Sequence, residues 1–242
     1  MDIWTAGWGI GGLRLSAAAG SVVGNRYREN YDVVHLDQGR PLAVVADGMG
    51  SGAGSTAAGR TAVETFVQHA QPGRLRSAVA EVQRAVIAKG RGVADLTGCT
   101  LTAFVGDDDG AWIVQLGDSR VYRLRDGVVE LLTVDHTVAW HGLLHGWFTA
   151  DSPEAHAARY RLLRYVGHPK APEPDLLSIS LRAQDRFLLC TDGVSDQLTY
   201  ERLAEALNAD AEPTVTVEAL LKDTLVTGDD NATAILIQTR SA

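Results

Sequence analysis

Residues 99–133 constrain the fold more tightly than any other stretch. CTLTAFV passes into AWIVQL across GDDDG, GDS leads into RVYRL, and RDG turns back into VVELLT. Connections this short join antiparallel neighbours, because a parallel return needs a crossover of a dozen residues or more. Further apolar runs bounded by Gly or Asp predict strands near 15–23, 31–37, 42–46, 175–181, 186–190 and 231–238. Two segments between the third and fourth strands have helical periodicity. Residues 54–70 align Ala58, Ala62, Phe66 and Ala70, and 74–89 align Leu75, Val79, Val82 and Val86. Helices also fit 199–208 and 215–226, with Pro213 suited to a helix start. Ser55 and Thr56 are candidate caps for the first helix. Strands in runs and helices in pairs predict antiparallel sheets packed together under helices, an α+β arrangement, rather than alternating βαβ units.

At 242 residues and 45% hydrophobic content the chain is long enough and apolar enough for one domain with a substantial core, and disorder is excluded. A net charge of −8 makes a general nucleic-acid or anionic-membrane partner unfavourable. No apolar run has membrane-spanning length, and MDIWTAGWGIGG lacks a signal-peptide pattern. Cys99 and Cys190 sit in apolar runs, which fits buried thiols in a reducing cytoplasm. Residues 135–174 hold five of the seven histidines and predict a functional flap with one or two short helices. His141 and His145 are spaced for one helix face. With no glutamate between them and no thiolate nearby, they read as a polar flap surface rather than a zinc site. His136 reads as a buried hydrogen-bonding residue at the flap root. Residues 1–14 carry no assigned role.

The chemistry is concentrated in aspartates at strand ends. Asp47 closes LAVVA and opens DGMGSG; Asp118 follows WIVQLG; Asp192 follows RFLLCT; Asp230 precedes ATAILI; Asp32 begins another strand. Singly, each is an ordinary turn residue. Together, strand ends of one sandwich converge on one edge, and converged carboxylates repel unless a cation lies between them. Oxygen donors with water select Mg²⁺ or Mn²⁺. Gly48 leaves its carbonyl open beside Asp47, whereas DGMGSG lacks the GK[ST] of a phosphate-binding P-loop.

These segments resemble, in order, the motifs of the metal-dependent protein phosphatases of the PP2C type (PPM family) in their bacterial form. VADGMGSG is similar to VADGMGG, GCTLTAFV to the family's GTT strand, and LGDSRVYRLRDG with LTVDHT to GDSR…LRDG…LT.DHS. RLLRYVGHPKAPEPD, DRFLLCTDGVSD and GDDNATAILI resemble the later motifs. The resemblance runs from about residue 16 to 238. It implies a four-layer α-β-β-α sandwich with two antiparallel sheets, in a single domain over 1–242 with a flap insertion at about 137–174. It also implies hydrolysis of phosphoserine and phosphothreonine with Mn²⁺ or Mg²⁺, by attack of a hydroxide bridging two cations. Carried over by position, Asp47 would bridge the two ions and the Gly48 carbonyl would bind one. Asp192 and Asp230 would complete the other, and Asp118 with Asp192 would serve a third. Asp32 would support the metal waters. The partner implied is a phosphorylated protein, opposing a serine/threonine kinase.

The first motif departs from the family's R-x-x-N-E-D. Tyr31 stands at an acidic position, and Tyr27 stands where the phosphate-binding arginine is expected, flanked by Arg26 and Arg28. On a strand, 26 and 28 would share a face opposite 27. Both arginines are candidate phosphate ligands. Ser51 also replaces a glycine of the DGMGG pattern. Two alternative readings stay open: a catalytically weak regulatory or binding module of the same fold, and a phosphatase acting on an anti-sigma-factor antagonist.

Overall fold

The computed structural model describes residues 1–242, the Thr227 side chain excepted. In chain order the elements are β1 (Ile3–Ile10), β2 (Leu13–Val22), β3 (Asp32–Leu36), β4 (Leu42–Asp47), α1 (Ala53–His69), α2 (Leu75–Gly90), β5 (Leu101–Gly106), β6 (Gly110–Leu116), β7 (Arg120–Arg125) and β8 (Val128–Leu131). They continue with α3 (Val138–Leu144), α4 (Pro153–Ala158), β9 (Asp175–Ser180), β10 (Arg186–Cys190), α5 (Asp192–Ser195), α6 (Tyr200–Asn208), α7 (Pro213–Thr227) and β11 (Ala232–Ser241). One sheet runs β1-β2-β11-β10-β7-β8 and the other β3-β4-β5-β6-β9. Every neighbouring pair of strands is antiparallel.

Strand alternation divides the apolar residues into three cores and so sets the layers. Ala43 and Val45 of β4 and Phe104 of β5 face Phe187 of β10 and Ile235 and Ile237 of β11 between the sheets. The Phe104 and Phe187 rings lie 5.7 Å apart at 52°. The alternate residues Leu42, Val44, Leu101 and Ala103 face outward and pack on Ala58, Ala62 and Phe66 of α1 and Val79, Val82 and Val86 of α2. On the far side, Leu188, Cys190 and Leu236 pack on Leu203 and Leu207 of α6 and Val217, Leu220 and Leu221 of α7. The order is therefore helices, sheet, sheet, helices. Each fully buried Leu, Val or Phe contributes roughly 1.5–3 kcal/mol of transfer free energy, so the three cores dominate stability.

Three local expectations are revised. The GDS turn does not join paired neighbours: β6 and β7 lie in different sheets, because the chain crosses there from one layer of the sandwich to the other. The N-terminal segment, left without a role, is an edge strand: β1 pairs with β2 from Ile3↔Gly20 to Ile10↔Leu13. Gly11 and Gly12 close this hairpin with φ of 53° and 78°, the left-handed pair that a two-residue turn requires. Neither Ser55 nor Thr56 caps α1. Gly52 is the cap residue, and Ser55 lies inside the first turn, where its hydroxyl donates to the Met49 carbonyl at 2.6 Å. Pro213 occupies the first turn of α7. Among the described residues, no helix is long and apolar enough to cross a membrane.

Candidate active site

A cavity of about 340 Å³ opens where the ends of strands from both sheets meet. Asp47 at the end of β4, Asp118 in the β6–β7 turn, Asp192 after β10 and Asp230 before β11 all line it, together with Gly48. The topology explains the convergence. β4 and β6 end on one sheet where β10 ends and β11 begins on the other, so carboxylates distant in sequence share one floor.

Asp32 stands behind this floor rather than on it. It begins β3 directly opposite Asp47 in the ladder and is 8% exposed. Its Oδ2 accepts hydrogen bonds from Thr191 Oγ1 at 2.9 Å and Thr233 Oγ1 at 2.7 Å. These two threonines belong to the other sheet's side of the site, so Asp32 ties the sheets together beneath the cavity. Like charges directly opposite in a ladder are unfavourable unless something offsets them.

The titration behaviour follows from this crowding. Burial pushes Asp32 up to about 8, against the two threonine hydrogen bonds that favour its charged form. Burial and then the Asp230 charge raise Asp192 to about 6. Asp47 is held well above the usual carboxylate range by burial, then by Asp192, Asp32 and Asp118. Asp118 is raised by burial and then by Asp192, and Asp230 by burial. Asp192 Oδ1 is buried with no hydrogen-bond donor. An orphan carboxylate oxygen among four other acids takes up either a proton or a cation. Among the described residues, no three acidic, His or Cys side chains already close around one point.

Gly48 is built for close approach. A Cβ there would lie 2.9 Å from both the Ser55 and the Tyr31 carbonyl oxygens, so only glycine lets the chain turn with its carbonyl beside Asp47. Thr100, which sequence reading passed over, also lines the cavity. Its Oγ1 accepts from the Asp47 N–H at 2.8 Å and lies 2.8 Å from Ser119 Oγ. Its own N–H donates to the Asp47 carbonyl at 2.8 Å. Thr100 therefore fixes Asp47 and the residue beside Asp118 at once.

Residues 23–31 lie outside any strand, so the alternation expected for Arg26, Tyr27 and Arg28 does not apply. The Arg26 N–H donates to the Asp229 carbonyl at 2.9 Å, and the Tyr31 N–H to Asn231 Oδ1 at 2.7 Å, which pins this loop to the one bearing Asp230. Arg26 and Tyr27 both line the cavity, with the Arg26 guanidinium 5.2 Å from the Tyr27 ring centre. Arg28 is exposed and is not among the lining residues.

The flap segment contains α3 and α4 and contributes Tyr160 and Leu162 to the cavity wall. Its root is firmly held. His136 Nδ1 accepts from the Gly117 N–H at 3.1 Å, and its Nε2 lies 3.1 Å from Asp175 Oδ2 and 2.9 Å from Arg164 Nη1. Arg120 donates to both Asp135 oxygens, at 3.0 and 2.6 Å. His141 and His145 are exposed, with ring centres 4.1 Å apart, away from the carboxylates that line the cavity.

Comparison with known proteins agrees with this geometry. The family described as Protein phosphatase 2C matches residues 24–226. The chain is 34% identical over 205 residues to the serine/threonine protein phosphatase PstP of Mycobacterium tuberculosis, covering 81% of this chain and 39% of that protein. It thus spans well under half the length of that relative. It is 26% identical over 224 residues to the serine/threonine phosphatase stp of Listeria monocytogenes, covering 87% of this chain and 89% of that one. A solved PstP catalytic domain in complex with two manganese ions superimposes with a TM-score of 0.82 at 32% identity, covering 94% of this chain and 99% of that structure.

Proposed function

This chain belongs to the protein phosphatase 2C family, and we propose that it is a serine/threonine protein phosphatase using two Mn²⁺ or Mg²⁺ ions. The observation that carries this reading is the gathering of Asp47, Asp118, Asp192 and Asp230 on one cavity, with an unpartnered Asp192 oxygen among them. Asp47, the Gly48 carbonyl, Asp192 and Asp230 would hold the two ions, and Asp118 with Asp192 a third. When bound, such ions lower the pKa of water and offset charge on phosphoryl oxygens.

The chain's own groups supply the rest. Asp32 sets the position of Asp47 from behind. Arg26, which lines the cavity, is the better placed of the two candidate arginines to meet the phosphoryl oxygens at its mouth. Tyr160 and Leu162 restrict access of bulk water. Water attacks phosphorus in line while the bond to the serine or threonine oxygen breaks, and that oxygen leaves as the alcohol. No side chain serves as nucleophile: Ser119 Oγ is engaged by Thr100, and both cysteine thiols are buried. Residues 1–242 act as one phosphatase domain with its flap at about 137–174. The substrate is a phosphoprotein in the cytoplasm, modified by a serine/threonine kinase.

The test is phosphate release from a phosphothreonine peptide with Mn²⁺. Activity should vanish in EDTA and in Asp47→Asn and Asp192→Asn, with circular dichroism unchanged. Undiminished turnover in both variants removes the mechanism. A chain that binds Mn²⁺ but turns over nothing is instead a binding module of the same fold.

A further inference from the structure

Resting on the phosphatase reading, we propose that this pocket also reads the residue beside the phosphorylated side chain. Its preferred substrates carry an aliphatic or aromatic residue next to the phosphoserine or phosphothreonine.

The walls of the cavity differ in kind from its floor. The floor is carboxylate, whereas Met49 and Leu96 stand on one side and Tyr160 and Leu162 on the flap side. Leu96 is 55% exposed and Tyr160 75% exposed. A single exposed apolar side chain needs no explanation. Two large ones joined to the same polar cavity, from segments more than sixty residues apart, form an apolar rim continuous with the place where the phosphate must sit.

The backbone beneath the rim is anchored. The Leu96 carbonyl packs against Gly54 of α1, so closely that a Cβ at Gly54 would lie 2.3 Å from it. The Met49 N–H donates to the Gly98 carbonyl at 2.9 Å. On the flap side, the Arg161 N–H donates to the Ala158 carbonyl at 3.3 Å and the Leu163 N–H to the His136 carbonyl at 2.8 Å. The rim is thus presented by segments already tied down, which lowers the ordering cost when a peptide binds. Charge disfavours one alternative: an acidic neighbour on the peptide would add to a floor already crowded with carboxylates.

The experiment uses phosphothreonine peptides that differ only in the residues flanking the phosphothreonine: leucine, serine, arginine or aspartate. For each, kcat/KM is measured with Mn²⁺ and Kd by fluorescence anisotropy, using the full chain, Leu96→Ser and Tyr160→Ser. Both replaced side chains are exposed, so the variants should fold. In the full chain the leucine peptide should exceed the serine peptide roughly tenfold in kcat/KM and in affinity. At least one variant should reduce that ratio to about twofold by weakening the leucine peptide more than the serine peptide. Equal treatment of leucine and serine, a preference for arginine or aspartate, or a ratio unchanged in both variants overturns the rim. Selective binding without turnover keeps the rim and removes the phosphatase. Turnover without selectivity does the reverse, and neither binding nor turnover removes both.

Discussion

Replacing Asp32 with asparagine should stabilise the cation-free chain, and by more the higher the pH. Asp32 is buried opposite Asp47, accepts from two threonine hydroxyls, and has its carboxyl pushed up to about 8 from 3.8, chiefly by burial. Below about pH 4 it is protonated in both folded and unfolded chains, and asparagine is a fair mimic. Between there and about 8 the unfolded chain gives up the proton while the folded chain keeps it. Stability therefore falls as pH rises, by up to about 1.4 kcal/mol per pH unit. From pH 5 to 8 the limit is about 4 kcal/mol; because Asp47 and Asp192 titrate in concert with Asp32, about 2 kcal/mol is the working expectation. Asp32→Asn removes that loss while its amide oxygen still accepts from Thr191 and Thr233. The assay is the melting temperature of EDTA-treated wild type and Asp32→Asn at pH 5, 6, 7 and 8. The variant's advantage should widen by on the order of 5 °C across the series, at roughly 2–4 °C per kcal/mol for a chain of this size. A difference that stays constant with pH refutes the reasoning, since a merely steric or hydrogen-bonding effect has no such slope.

Gly48→Ala should lower stability by about 1–3 kcal/mol, because both close neighbours of the new Cβ are backbone carbonyls that cannot swing away. It should also weaken Mn²⁺ binding, measured by calorimetric titration. Arg26→Ala should raise KM for a phosphopeptide several-fold while Arg28→Ala leaves it nearly unchanged, as steady-state kinetics would reveal. Arg186 is 4% exposed, and its Nη1 donates to the Leu207 and Ala209 carbonyls at 3.0 and 2.7 Å. Arg186→Met should therefore strand carbonyls at the end of α6 and cost about 2–4 kcal/mol in thermal unfolding, without loss of turnover at 25 °C.

Much of the site was legible because its chemistry sits at strand ends, where apolar runs stop at Asp-Gly or Gly-Asp. The period-2 pattern located the strands, and the turns at GDDDG and RDG made their neighbours antiparallel, whereas GDS carries the chain from one sheet to the other. What escaped was whatever depends on contacts between distant segments. Thr100 and Thr233 look like ordinary strand threonines until the fold brings Asp47 and Asp32 against them. The loop carrying Arg26 cannot be read as a strand, because its partners are Asp229 and Asn231, some two hundred residues away. β1 was signalled by the Gly-Gly turn, but the small residues of IWTAGWGI give only a weak alternation, and an edge strand buries too little to sharpen it.

The hydrogen bonds from Thr191 and Thr233 to Asp32 run from one sheet to the other, so the carboxylate floor is assembled across a seam. Sliding of the sheets by a fraction of a side chain would pull Asp47 and Asp192 apart long before either layer melted. Volume changes at Phe104 or Phe187, buried in that seam, should accordingly register as impaired turnover at temperatures where the chain is still fully folded.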